Sequence, residues 1–271
     1  MMVKKCLFVF SWVLLATALT VGQGKAWNYP VESGYEEVPT IGTQELYEKY
    51  KSNTGTIVDV RSKIEYKTAH IKGAVHIPLS NKNFITLLKK QVAGKTDQPL
   101  FFYCNGTTCL KAPASAEDAI DEGLPNSYAY YGGLPGWAEA HPEDTILRDK
   151  PVSADNQLIP KSEFKKKCLS FEDFKKVIAS DPKALVIDVR DHIQKSGDLP
   201  GLTKKVLSIP LDNFIPNFVL KKRNQDKNLY IFDQVGKQVQ SLEYELIESG
   251  YVNYWFLNKG ATKVLGKQSY K

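Results

Sequence analysis

The strongest constraint on this chain is that it repeats itself. Ile57-Val58-Asp59-Val60-Arg61 returns as Val186-Ile187-Asp188-Val189-Arg190, and Leu100-Phe101-Phe102-Tyr103 returns as Leu229-Tyr230-Ile231-Phe232, both at an offset of 129 residues. Two copies of one pattern call for two similar units, and 271 residues accommodate two domains of about 100–130 residues each. The copies differ where chemistry would sit: the second run ends in Cys104 in the first copy and in Asp233 in the other. A thiol can become a sulfur nucleophile and a carboxylate cannot replace it, so one half is expected to react and the other not.

Short β-branched or aromatic runs alternate with helical spacing throughout. In the first copy the pattern predicts a helix over Thr43–Ser52 with Thr43 as cap, and strands at Thr56–Val60 and Val75–Leu79. A loop carries Glu65, Tyr66 and His70-Ile71-Lys72-Gly73-Ala74. A polar helix follows around Asn83–Val92, then a buried strand at Leu100–Tyr103, a helix from Pro113 to Glu122 and a strand at Ser127–Tyr131 closed by Gly132-Gly133-Leu134-Pro135-Gly136-Trp137. The second copy repeats the order with helix Phe171–Ala179, strands Ala184–Val189, Val206–Ile209 and Leu229–Phe232, helix Lys237–Ser249 and strand Val252–Phe256. Such alternation argues for α/β domains, each a mostly parallel open sheet with helices on both faces. Residues 146–167 are charged, short of apolar periodicity and end in Lys165-Lys166-Lys167, and read as a linker between domains at 40–145 and 168–265.

Residues 1–26 read as a signal peptide. Lys4 and Lys5 precede an apolar stretch from Cys6 to Val21, and Gly24-Lys25-Ala26 offers small residues for cleavage, so the expected location is exported, in the periplasm, with no membrane attachment afterwards. Cleavage would remove Lys4, Lys5 and Lys25 and no acid, lowering the formal net charge from +6 to +3. That small excess, with 14 Tyr and 12 Phe scattered through apolar runs rather than among basic residues, argues against nucleic acid as a partner. Cys104, Cys109 and Cys168 would remain, and an odd count in an oxidising compartment leaves at least one thiol free or paired with another molecule.

Cys104 stands at the carboxyl end of a buried strand, where open α/β sheets place ligands. Asn105-Gly106-Thr107-Thr108 can turn backbone N–H groups inward, and the following helix start adds positive potential, so the thiolate is expected to be favoured. The same nest would hold a persulfide anion or the oxygens of an incoming anion. No cofactor is expected, and Cys104 with Cys109 falls short of a zinc ligand set, so no metal is expected either.

Taken together, these residues resemble the rhodanese-like sulfurtransferases. The resemblance covers roughly 40–145 and 168–262, and in the first copy includes Asp59-Val60-Arg61, Glu65-Tyr66, His70 to Ala74, Ile77-Pro78-Leu79, the Tyr103-Cys104 loop and Gly132-Gly133 with Trp137. It implies that Cys104 takes the outer sulfur of a small donor anion such as thiosulfate, or of a persulfide, and passes it to a thiol or cyanide-like acceptor. It also implies that Asp59, Arg61 and Glu65 fix the loop after the first strand.

The family's common arginine, five residues after the cysteine, is here Cys109, and the nearest cation is Lys111. Asn105, Gly106, Thr107, Thr108, Cys109 and Lys111 are therefore the expected substrate-binding set, with lysine acting as a point charge rather than a fork. Cys109 reads equally as a resolving thiol or an inert loop residue. In the second copy Asp233-Gln234-Val235-Gly236-Lys237-Gln238 has no nucleophile, and Leu257-Asn258-Lys259-Gly260 matches Gly132-Gly133 loosely. Two alternatives stand beside sulfur transfer: a Cys104/Cys109 dithiol redox protein or oxyanion reductase, and a non-catalytic sulfur carrier that meets a protein partner through its second domain.

Overall fold

The computed structural model describes residues 34–93, 97–195 and 197–266. The expected signal at 1–26 lies outside them, and among the described residues no helix is long and apolar enough to cross a membrane.

The first half runs β1 (Thr40–Ile41), α1 (Thr43–Lys51), β2 (Thr56–Asp59), α2 (Lys63–Thr68), β3 (Ala69–Ile71), β4 (Val75–His76), α3 (Phe84–Gln91), β5 (Leu100–Tyr103), α4 (Lys111–Asp121), β6 (Ser127–Tyr130) and α5 (Gly133–Ala140). A connection follows with β7 (Thr145–Leu147), β8 (Lys150–Pro151) and α6 (Lys161–Lys166). The second half runs β9 (Cys168–Leu169), α7 (Phe171–Ser180), β10 (Ala184–Asp188), β11 (Val206–Ser208), α8 (Leu211–Phe214), β12 (Asn228–Phe232), α9 (Gln238–Glu248), β13 (Tyr254–Leu257) and α10 (Thr262–Leu265).

The repeat seen in the sequence is a repeat of topology. One parallel sheet has the order β4-β2-β5-β6-β1 and the other β11-β10-β12-β13-β9. Aligned in sequence order, these are the same sheet. The central strands β5 and β12 are apolar along their buried length because helices cover both faces, which removes the polar alternation of a one-sided sheet. In the first half Phe84, Leu88 and Ala116 pack one face, and Leu46, Leu134 and Trp137 pack the other. In the second half Phe214, Val239 and Leu242 pack one face, and Phe174 and Ile178 the other.

Three stretches depart from the sequence expectation. Glu65 and Tyr66 lie in α2 rather than a loop: Ser62 Oγ accepts from Glu65 N at 3.3 Å while Glu65 Oε2 accepts from Ser62 N at 3.1 Å, a reciprocal cap that holds a six-residue helix. Gly133 to Trp137, expected to close the strand at Ser127–Tyr131, opens α5. The expected linker is ordered: β7 pairs antiparallel with β3, burying Leu147, and Pro151 sits on the edge strand β8 where its missing N–H costs no ladder bond.

Candidate active site

The site is built on the carboxyl ends of β2 and β5. Asp59 at the end of β2 receives the Arg61 guanidinium at 2.5 Å (Nη2 to Oδ2) and 2.9 Å (Nε to Oδ1), both side chains fully buried. Arg61 also donates to Ala69 O at 2.7 Å and reaches Asn105 Oδ1 at 3.5 Å. Asn105 Nδ2 in turn donates to Glu65 Oε1 at 2.5 Å. The residue after the cysteine is thereby held at both ends of its amide. The second half repeats this arrangement with Asp188, Arg190 and Gln234, Arg190 donating to Asp188 at 2.8 Å and reaching Gln234 Oε1 at 3.4 Å.

Cys104 follows β5 and is 1% exposed. Its Sγ donates to Cys109 O at 3.0 Å, and both thiols are free. The expectation of a thiolate-favouring loop is corrected for this geometry. Burial pushes the Cys104 thiol well up, and its hydrogen bond to Cys109 adds to that, against the nearby N–H groups of Ala112 and Asn105. The Cys104 donor, followed by the Lys111 charge, holds the Cys109 thiol below its ordinary value.

Gly106 adopts φ +93° and Gly133 φ +55°, and a Cβ on Gly133 would stand 2.2 Å from Gly106 N and 2.6 Å from Cys104 O. Only glycine allows the start of α5 to lie against the cysteine loop, where Leu134 N donates to Cys104 O at 3.0 Å. The second half does the same. A Cβ on Gly260 would stand 2.6 Å from Gly236 N, so Gly260 serves as Gly133 does although the surrounding sequence matches loosely.

Of the expected substrate-binding residues, Thr107 and Thr108 stand exposed at the loop apex and Cys109 is buried. Asn105 is engaged as described. Lys111 is buried, and its ammonium donates to Asp191 Oδ2 of the second half at 2.7 Å. A buried ammonium needs a counter-charge, and in this chain the partner lies outside the loop.

Asp191 is one of several contacts between halves that the sequence reading missed. Asp212 accepts from Lys63 N and Ile64 N at 3.1 and 3.0 Å, capping α2 from across the boundary. Gln238 Nε2 donates to Glu65 Oε2 at 3.2 Å. Val235, from the loop that replaces the cysteine loop, packs against the core containing Cys104 and Cys109, while Ile64 packs into the second half's core. The signal available for α2 was Ser62-Lys63-Ile64-Glu65, a capping box, but pairings at separations of 80 to 173 residues leave no local trace.

In the second half Asp233 occupies the strand-end position and its carboxylate accepts from Gly236 N at 2.5 Å, Lys237 N at 2.8 Å, Gln238 N at 2.5 Å and Val239 N at 3.2 Å. Four converging N–H groups at a helix start make an anion receptor, here filled by the chain's own side chain. His70 Nδ1 contacts Tyr66 O and His76 Nε2 contacts Arg61 O at 2.8 and 3.0 Å, so both rings are tied to backbone. Among the described residues no cluster of three or more His, Cys, Asp or Glu is arranged to hold a metal ion.

The family model described as Rhodanese-like domain matches residues 42–140, and this part of the chain is a rhodanese-like domain. An HTH-type transcriptional regulator of Mycobacterium tuberculosis is 35% identical over 84 residues, 31% of this chain and 34% of that protein. The uncharacterized protein YqhL of Bacillus subtilis is 28% identical over 98 residues, 36% of this chain and 71% of that protein. The chain thus spans about a third of the length of the mycobacterial relative. The crystal structure of a thiosulfate sulfurtransferase from Pseudomonas aeruginosa aligns at 17% identity and a TM-score of 0.37, covering 85% of this chain and 43% of that one.

Proposed function

We propose that the protein is an exported sulfurtransferase in which Cys104 carries sulfane sulfur and the second half is an inert copy. The Cys104 thiolate attacks the outer sulfur of a donor such as thiosulfate, forming a new S–S bond while sulfite leaves with the electrons of the old one. An acceptor thiolate or cyanide then attacks the outer sulfur of the persulfide, and the Cys104 thiolate is released. Burial works against the loss of the Cys104 proton that the first step needs, and the N–H groups of Ala112 and Asn105 partly offset it.

The observation that carries this reading is the contrast between equivalent positions. In the second half four N–H groups converge on the Asp233 carboxyl at the strand end, and the first half puts a thiol at the same place, which supports a nest suited to anionic sulfur. The test is thiocyanate formation from thiosulfate and cyanide by the mature protein and by Cys104→Ser. Activity that survives the substitution would sink the proposal.

A second reading is favoured by the hydrogen bond from Cys104 Sγ to Cys109 O, which holds the two free cysteines together. Cys109, the more acidic of the pair, can attack the inner sulfur of a Cys104 persulfide, forming a Cys104–Cys109 disulfide and releasing hydrosulfide. Under this dithiol reading Cys109→Ser abolishes turnover, whereas simple transfer survives it.

A further inference from the structure

We infer that Gln238, in the half that carries no nucleophile, is a positioning residue for Cys104, acting through the Glu65 carboxylate and the Asn105 amide. The inference rests on the reading of Cys104 as the reacting group and adds a residue of the second half to its site.

Glu65 lies where the two halves meet, 1% exposed, and its carboxylate gathers three donors. Ser62 N donates to Oε2 at 3.1 Å, Asn105 Nδ2 to Oε1 at 2.5 Å and Gln238 Nε2 to Oε2 at 3.2 Å. A carboxylate withdrawn from water needs such donors. Gln238 is itself buried, and its Oε1 has no hydrogen-bond partner among the described residues. A buried amide left half-satisfied is costly where an apolar side chain of the same shape would not be. What this amide supplies is the donor to Glu65.

The internal repeat separates the structural part of this arrangement from the rest. At the offset of 129 residues Ser62, Glu65 and Asn105 correspond to Asp191, Gln194 and Gln234. The second half keeps the reciprocal cap with an amide: Gln194 Oε1 accepts from Asp191 N at 3.2 Å, and Asp191 Oδ1 accepts from Gln194 N at 3.1 Å. It also keeps the arginine contact, Arg190 to Gln234 at 3.4 Å against Arg61 to Asn105 at 3.5 Å. A glutamine therefore suffices for the cap. The other carboxylate oxygen of Glu65 is surplus to it and holds Asn105, whereas Gln234 Nε2 turns to Thr262 Oγ1 at 3.1 Å. The tie from acid to loop belongs to the half with the thiol.

Asn105 matters because its N–H and the Cys104 carbonyl share one peptide plane. Leu134 N holds the carbonyl at 3.0 Å, and Glu65 and Arg61 hold the Asn105 side chain. The Asn105 N–H is one of two backbone donors, with that of Ala112, that favour the Cys104 thiolate against burial. Releasing the side chain leaves that donor free to turn away from the sulfur.

The test compares the full-length protein with Gln238→Met, which removes the donor at similar length, and with Glu65→Gln, which keeps an acceptor for the cap as Gln194 does. The initial rate of Cys104 alkylation by iodoacetamide, read by peptide mass mapping, is expected to fall about tenfold in each. The double variant should be no slower than either single one. Sulfur loading at saturating donor should slow by the same factor, with the half-saturating donor concentration unchanged. A purely structural role predicts the opposite sign, because loosened packing exposes a buried thiol and speeds its alkylation. Unchanged or faster alkylation in Gln238→Met, or additive losses in the double variant, would overturn the inference. Absence of loading in the unsubstituted protein would overturn the sulfur-transfer reading instead, and the alkylation rates would still decide the role of Gln238.

Discussion

The Lys111 ammonium and the Asp191 carboxylate meet at 2.7 Å across the boundary between the two halves, with side chains 3% and 15% exposed. The lysine that opens the helix after the cysteine loop is thus neutralised by the half that carries no nucleophile, and the second half holds that helix in place. Removing one partner of a buried pair strands the other charge, which costs about 3 kcal/mol or more. Asp191→Asn should lower the unfolding free energy by that amount in denaturant titration. A double-mutant cycle with Lys111→Met should show that most of the loss is shared, and additive losses would contradict the pairing.

Alkylation should distinguish the two loop thiols by pH. Cys109 lies below the ordinary thiol value and Cys104 well above it, so as pH rises Cys109 ionises first and Cys104 only on the alkaline side. Pulse labelling with iodoacetamide and peptide mass mapping should find Cys109 modified ahead of Cys104 at pH 8, with Cys104 gaining as pH climbs past 9. Preferential labelling of Cys104 at neutral pH would reverse the assigned order.

Close backbone approach predicts an unequal response to two glycine substitutions. Gly133→Ala puts a methyl 2.2 Å from Gly106 N and should cost about 3 kcal/mol, since both a left-handed backbone and an overlap must be accommodated. Gly34→Ala, at φ +80° with open space around it, should cost only about 1 kcal/mol. Equal losses in thermal unfolding would remove the close-approach explanation.

The anion receptor of the second half should be a source of stability. Asp233→Ala leaves four N–H groups at the start of α9 without their acceptor and should cost about 2 kcal/mol or more. It should leave sulfur loading at Cys104 intact, measured on the folded protein.

Most of the fold was legible because its signals are local. The strands β2, β5, β10 and β12 are continuous apolar runs bounded by polar residues, and the repeat ties them into one topology twice. What was illegible depends on partners far away in the chain. Nothing around Lys111 announces Asp191, and the hold of Asn105 on Arg61 and Glu65 exists only when β2 and β5 lie side by side. The Cys104 thiol was misread for a related reason. Loop composition suggests a nest, but the burial that raises the thiol comes from packing, including Val235 of the other half. The connection at 146–167 hid its order because β7 finds its partner in β3, about 75 residues earlier.

The central claim is that Cys104 carries sulfane sulfur, and intact-protein mass spectrometry tests it most directly. The reduced mature protein is incubated with thiosulfate or with a low-molecular-weight persulfide, beside Cys104→Ser. The account predicts a gain of one sulfur atom with at least one donor, absent from the variant and removed by an acceptor thiol. No gain from either donor, or an equal gain in the variant, would contradict it.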